Sequence, residues 1–292
     1  MKNSFSRRTL LHGATALTGL GLLGPANSRS ATTDSIDFGN PADNVRTFAK
    51  LAGSVNSEAV HYFYSGTIFG MTPVESQPLF RYSGVMKYVW RPTSDGSYRY
   101  RMYDSGYYAD LDTGQLLEEF TNPYTQEVVR PLHPRAGPYD FIAKPELLDW
   151  RRSGDEIWTA DSAGLQLPNK LDPAEWPLGS TGKVLNFRYE FGFRGKVSDL
   201  QRGDVASAPC LQYFSEISPW YPFLRMGKRP GFNFWSLQGK KIDSLSDISS
   251  ETLAYFEKHE PGFFDTDTPW DEKADSYTQY MNAMLGRPVW DR

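Results

Sequence analysis

The feature that most constrains the fold is a set of segments in which aromatic and polar residues alternate one for one. In Tyr98-Arg99-Tyr100-Arg101-Met102-Tyr103, a period of two puts Tyr98, Tyr100 and Met102 on one face and Arg99, Arg101 and Tyr103 on the other. Asn186-Phe187-Arg188-Tyr189-Glu190-Phe191 repeats the pattern, with Asn186, Arg188 and Glu190 opposite Phe187, Tyr189 and Phe191. A helix repeats its faces about every 3.6 residues and cannot use such a pattern, so these segments predict strands with two unlike faces. The chain holds 17 Tyr, 18 Phe and 8 Trp. Aromatic residues in that number either pack a large sheet or line a cavity for a flat, partly polar ligand.

More strands are predicted over His61 to Phe69, Tyr82 to Trp90, Tyr107 to Leu111, Leu116 to Phe120 and Gln126 to Leu132. Turn residues such as Pro92-Thr93-Ser94-Asp95-Gly96 and Asp112-Thr113-Gly114 join them as hairpins. Residues 136–182 read as a long insertion with few regular elements. Strands resume at Val184 to Phe193, Leu211 to Ile217 and Phe232 to Leu237. Helices flank the strands. Asn40 caps one with Pro41 at its first position, and Ser249 to His259 forms a second. Thr268 caps a third that ends at Gly286, with Tyr277, Tyr280, Met281 and Met284 on its inner face. This predicts a mainly β fold: an antiparallel, closed or partly closed barrel (lipocalin- or calycin-like) with helices at both termini, in one domain over residues 32–292.

Residues 1–31 read as an export leader. Ser6-Arg7-Arg8-Thr9-Leu10-Leu11 is a twin-arginine signature, followed by an apolar stretch from Gly13 to Gly24 and a small-residue run near Ala31. The apolar stretch is too short and glycine-rich for a stable span. The expectation is export of a folded protein through the Tat translocase into the periplasm. The net charge of −4 and the lack of a basic cluster after the leader make nucleic acid a poor partner. The single cysteine, Cys210, excludes an intramolecular disulfide framework. Whether the chain forms a homo-oligomer stays open.

Dinucleotide, P-loop, zincin and nucleophile-elbow motifs are missing, so neither cofactor nor metal is expected. The catalytic candidates are His133, at a strand end between Leu132 and Pro134, His61, Tyr100 and Arg188. The substrate-binding candidates are Tyr98, Arg101, Asn186, Glu190, Tyr213, Trp220 and Tyr221. Two orientations stay open. Aromatic faces turned inward make an ordinary core with Arg188 and Glu190 in solvent. Polar faces turned inward make an acid–base array in a low-dielectric cavity. Ser218-Pro219-Trp220-Tyr221-Pro222-Phe223 reads either as a lid or as a packed corner.

The run Leu111-Asp112-Thr113-Gly114-Gln115, continuing through Asn122-Pro123-Tyr124-Thr125-Gln126-Glu127-Val128 to His133, resembles DUF1838, a bacterial family of unknown function. The Tyr277-Thr278-Gln279-Tyr280 helix is similar to it as well. This chain carries Gln126 where the family has Gly. The resemblance implies a Tat leader, a β-barrel domain and a role near the catabolism of aromatic compounds, and it supplies no catalytic residues. The function expected is a cofactor-independent lyase or isomerase acting on a phenolic or lignin-derived aromatic molecule. The alternative is a non-catalytic periplasmic carrier for aromatic or lipophilic molecules.

Overall fold

A computed structural model of the chain describes residues 35–265 and 276–287. The expected leader and the Thr268 cap lie outside the described residues. The strands are β1 (Ala59–Met71), β2 (Ser76–Pro92), β3 (Tyr98–Ala109), β4 (Phe120–Thr121), β5 (Val128–Val129), β6 (Arg135–Ala143), β7 (Arg151–Ser153), β8 (Glu156–Pro168), β9 (Val184–Lys196), β10 (Leu211–Ser218) and β11 (Phe232–Ile242). The helices are α1 (Pro41–Ala52), α2 (Val197–Leu200), α3 (Ser250–His259) and α4 (Ser276–Met284). Nine strands form one antiparallel sheet in the order β6-β3-β2-β1-β11-β10-β9-β8-β7, and β4 and β5 form a separate small hairpin.

The sheet curls into a half-barrel and does not close, so of the closed and partly closed forms expected, the closed one is ruled out. Its curl is read from side chains that meet across strands. Trp235 on β11 and Tyr108 on β3 are three strands apart, about 14 Å in a flat sheet, yet their ring centroids are 6.0 Å apart. Tyr62 on β1 and Phe193 on β9 are also three strands apart, with centroids 6.5 Å apart. Helices cover the two ends of the trough instead of further strand pairing.

At one end α1 begins as the sequence indicates, with the Asn40 side chain accepting from the Ala42 amide and Pro41 in the first turn. Its Phe48 ring touches both Trp90 of β2 and Phe193 of β9, at 5.4 and 5.3 Å. The α1 C-terminus is fixed by Lys241, whose Nζ donates to the carbonyls of Leu51 (2.5 Å) and Gly53 (3.0 Å) and to Ser207 Oγ (3.0 Å). Burial pushes that ammonium down to about 8. At the other end α4 packs on the Pro222–Leu224 turn, and Tyr280 meets Tyr221 and Phe223 at 5.2 Å. Tyr277, Tyr280 and Met281 are buried, on the inner face assigned to them.

Two other expectations are revised. Residues 107–111 begin no new strand, because β3 continues unbroken to Ala109. Residues 136–182 contain β6, β7 and β8. Most of β8 is exposed and rich in small or polar residues, so it lacks the hydrophobic contrast that marks a strand in sequence. No described helix is long and apolar enough to cross a membrane.

Candidate functional site

The concave face of the half-barrel carries the aromatic set of each alternating strand. Cross-strand partners share a face, so the pairs Tyr62–Met86, Tyr88–Met102 and Phe193–Gln212 extend one surface from β3 to β9. Glycines let the tyrosines lie flat on this floor. Tyr64 covers Gly239, where an added Cβ would come 2.5 Å from its ring. The Tyr82 hydroxyl covers Gly84 and Gly106, at 2.3 and 2.6 Å from where their Cβ atoms would be. A ring lying flat over a glycine occupies little height above the sheet.

Two acids share the parity of these aromatic residues. Asp104 follows Tyr98, Tyr100 and Met102 on the concave side of β3, where the β3–β6 register shifts between Met102 and Asp104. A register irregularity of this kind re-aims a side chain. Glu216 shares the inner face of β10 with Gln212, Phe214 and Ser218. Both acids are densely surrounded by protein yet keep partial exposure, as expected for groups that line an internal space. Burial pushes each carboxyl up to about 7; the Glu260 charge adds to the rise at Asp104, and the Asp104 charge adds to the rise at Glu216.

Phenols surround the two acids. Tyr64 and Tyr88 are close enough to Asp104 for its charge to raise them further, and Tyr221 is similarly raised by Glu216, although burial is the largest cause for all three. Gln212 Nε2 donates to Tyr88 Oη at 3.3 Å. Several buried polar atoms here have no hydrogen-bond partner: Tyr64 Oη, Tyr221 Oη, Trp235 Nε1, Gln212 Oε1 and Ser218 Oγ. Ser218 lies by the Glu216 carboxyl and Tyr221, and the Tyr108 hydroxyl also lies by Tyr221, but none of these contacts has well-formed hydrogen-bond geometry. Each orphaned group costs about 1–3 kcal/mol unless something satisfies it. Their concentration around two neutralisable acids makes the trough the candidate site.

The structure turns the aromatic faces inward, so the sequence candidates divide. Tyr98, Tyr100 and Tyr221 are on the concave side. Tyr100 stacks on Trp90 at 4.1 Å and on Phe141 at 5.0 Å, and burial followed by the charge of Asp161 on β8 raises its phenol to about 12. Arg188, Asn186 and Glu190 are on the convex face, where Arg188 donates to Ser162 Oγ (2.9 Å) and Asn186 accepts from Gln166 (2.8 Å). Arg101 is also convex and pairs with Asp140 at 2.8 Å. Tyr213 lies on the convex face over Gly192. Trp220 is part of a packed corner: it is buried, donates to the Arg229 carbonyl at 3.0 Å and lies against Gly231.

The two histidine candidates are separate from each other. His61 is on the convex face of β1 against Phe263 and Phe264, with centroids 6.3 and 5.4 Å away. Burial, then the charge of Lys87, lowers it to about 4, so it is neutral at physiological pH. His133 is at the sheet edge, where Nδ1 accepts from the Tyr108 amide at 3.2 Å. That bond puts the proton of the neutral ring on Nε2. Sequence inspection passed over Asp104 and Glu216. Their only sequence signal is an acid at the parity of the aromatic residues in an alternating strand.

Gln126 has a left-handed backbone (φ 60°), a conformation that favours glycine. Nearby, Asn122 ties the β4–β5 turn to the Leu224 carbonyl at 2.6 Å. Among the described residues, no group of three His, Cys, Asp or Glu is placed to hold a metal ion.

Fold and site together define a mainly β protein whose open half-barrel encloses an aromatic trough with two carboxyls. Residues 57–284 match the family described as "Protein of unknown function (DUF1838)", and the chain belongs to that family. A comparison with curated proteins finds no match.

Proposed function

We propose that the protein is a periplasmic, cofactor-independent lyase for a phenolic, lignin-type aromatic molecule bound in the trough as in a calycin-like cup. The observation that carries this reading is the Asp104–Glu216 pair, held near pH 7 among unsatisfied phenols. Two interacting acids near neutrality supply one proton donor and one acceptor, the division of labour that acid–base elimination needs. Tyr64 and Tyr221 hydrogen-bond the substrate hydroxyls, and Tyr100 and Trp235 form ring walls.

For a para-hydroxyphenyl substrate with a benzylic hydroxyl and a hydroxymethyl on the next carbon, the balanced sequence is redox-neutral. The protonated carboxyl gives its proton to the benzylic oxygen, water leaves, and the phenol loses its proton to become a quinone methide. The carboxylate then removes the hydroxymethyl proton, the C–C bond breaks, and formaldehyde leaves. The electron pair returns to the ring oxygen, which recovers a proton as phenol. The products are an alkene, water and formaldehyde.

The test is incubation of the purified protein with such dimers, following formaldehyde and the mass of the aromatic product. Turnover that D104N and E216Q abolish is expected. Turnover unaffected by both variants overturns the reading. A carrier is the second reading, favoured by the orphaned Tyr64, Tyr221 and Trp235 groups, which call for a ligand without calling for chemistry. It predicts saturable binding with no product.

A further inference from the structure

The trough has a charge character that limits what can enter it. Asp104, Glu216 and Asp161 are all on the concave side, Asp161 through its pairing with Phe191. The cations of the same strands face the other way. Arg81, Lys87 and Arg91 of β2 alternate with the concave Tyr82, Met86, Tyr88 and Trp90. On β3, Arg99 and Arg101 are likewise convex, as are Arg188 and Arg194 on β9. Among the described strand residues, two cations share the concave parity, and both are at the α1 end. Lys241 is spent on the α1 carbonyls, and Arg152 lies over the Phe38 ring at 5.2 Å.

The orphaned atoms complete the picture. Gln212 Oε1 can only accept, Tyr64 and Tyr221 can accept or donate, and Trp235 Nε1 can only donate. The side chains carrying them are more than nine-tenths buried, and the charges of Asp104 and Glu216 reach Tyr64 and Tyr221. A ligand hydroxyl suits these partners. A ligand carboxylate would meet two or three like charges with no counter-ion, at the close range and low dielectric where repulsion is strong.

Building on the proposed trough site, we infer that its substrates are neutral, hydroxyl-bearing aromatic molecules, and that Asp104 and Glu216 exclude aromatic carboxylates of the same size. They are specificity determinants as well as an acid–base pair.

The experiment uses three para-hydroxyphenyl probes of one size: tyrosol (an alcohol), 4-hydroxyphenylacetate (an acid) and tyramine (an amine). Binding is measured at pH 8 by calorimetry and by quenching of tryptophan fluorescence. The alcohol and the amine are expected to bind at least tenfold more tightly than the acid. E216Q is expected to shrink the alcohol-to-acid gap at least threefold, and D104N serves where E216Q does not fold. An acid that binds as well as the alcohol overturns the charge inference while leaving the trough as the site. A gap unchanged in both variants also overturns it, because the exclusion then has another source. Binding of none of the probes up to their solubility overturns the phenolic reading on which the inference rests.

Discussion

Replacing Asp104 by Asn is expected to stabilise the protein above neutral pH and to leave its stability unchanged in acid. Burial carries this carboxyl from its ordinary 3.8 to about 7. Below about pH 4 both folded and unfolded states hold the proton, and the group contributes nothing. Between about 4 and 7 the unfolded state releases its proton first, so stability falls as pH rises. Above about 7 the folded carboxyl ionises too and the loss is complete. A tenfold change in proton affinity is worth about 1.4 kcal/mol, so the full loss is about 4 kcal/mol. Partial exposure, which lets solvent screen the charge, reduces the recoverable part to about 2 kcal/mol. For a domain of this size that is about 5 °C in Tm. The assay is thermal unfolding of wild type and D104N at pH 4 and pH 8.5, with E216Q in parallel. Equal gains at the two pH values, or a loss at pH 8.5, would refute an acid that burial holds uncharged.

The same two substitutions should lower turnover of phenolic dimers by at least about a hundredfold while raising stability at high pH, a combination that damage to the fold cannot produce. Q126G removes a left-handed non-glycine residue and should stabilise by about 1 kcal/mol, read as an upward shift in the urea midpoint with unchanged slope. K241M removes the charged donor that the Leu51 and Gly53 carbonyls share, leaving them the weaker Tyr62 and Ser207 hydroxyls, and should cost about 2 kcal/mol; faster amide exchange over residues 41–53 would locate the damage at α1. H133Q is expected to abolish turnover with folding intact if the imidazole relays protons at the Tyr108 edge. Unchanged kcat would limit His133 to holding that edge.

Legibility in the sequence followed local physics. The Asn40–Pro41 start of α1, the helix expected over Ser249 to His259 and the buried stripe Tyr277, Tyr280, Met281 depend on contacts within one or two turns, and all appear where the residues indicate. The long strands were visible because one face is aromatic and the other polar. β8 was not, because its exposed, small-residue surface gives no alternation to detect. Trp220 could be read as lid or corner, and the Arg229 carbonyl and Gly231 that decide for the corner come from the next segment of chain.

The sequence by itself determined that this chain is mainly β, that its strands have one aromatic and one polar face, and that helices flank them. Those properties follow from side-chain period and capping, which a single segment carries alone. Only the tertiary structure decided that the aromatic faces turn inward, that the sheet stays open, and that Arg188, Glu190 and Arg101 belong to the convex side. It also brought Asp104 and Glu216 into one trough from strands more than a hundred residues apart in the chain. A carboxyl's proton affinity depends on what surrounds it in space, and no stretch of sequence contains that surrounding.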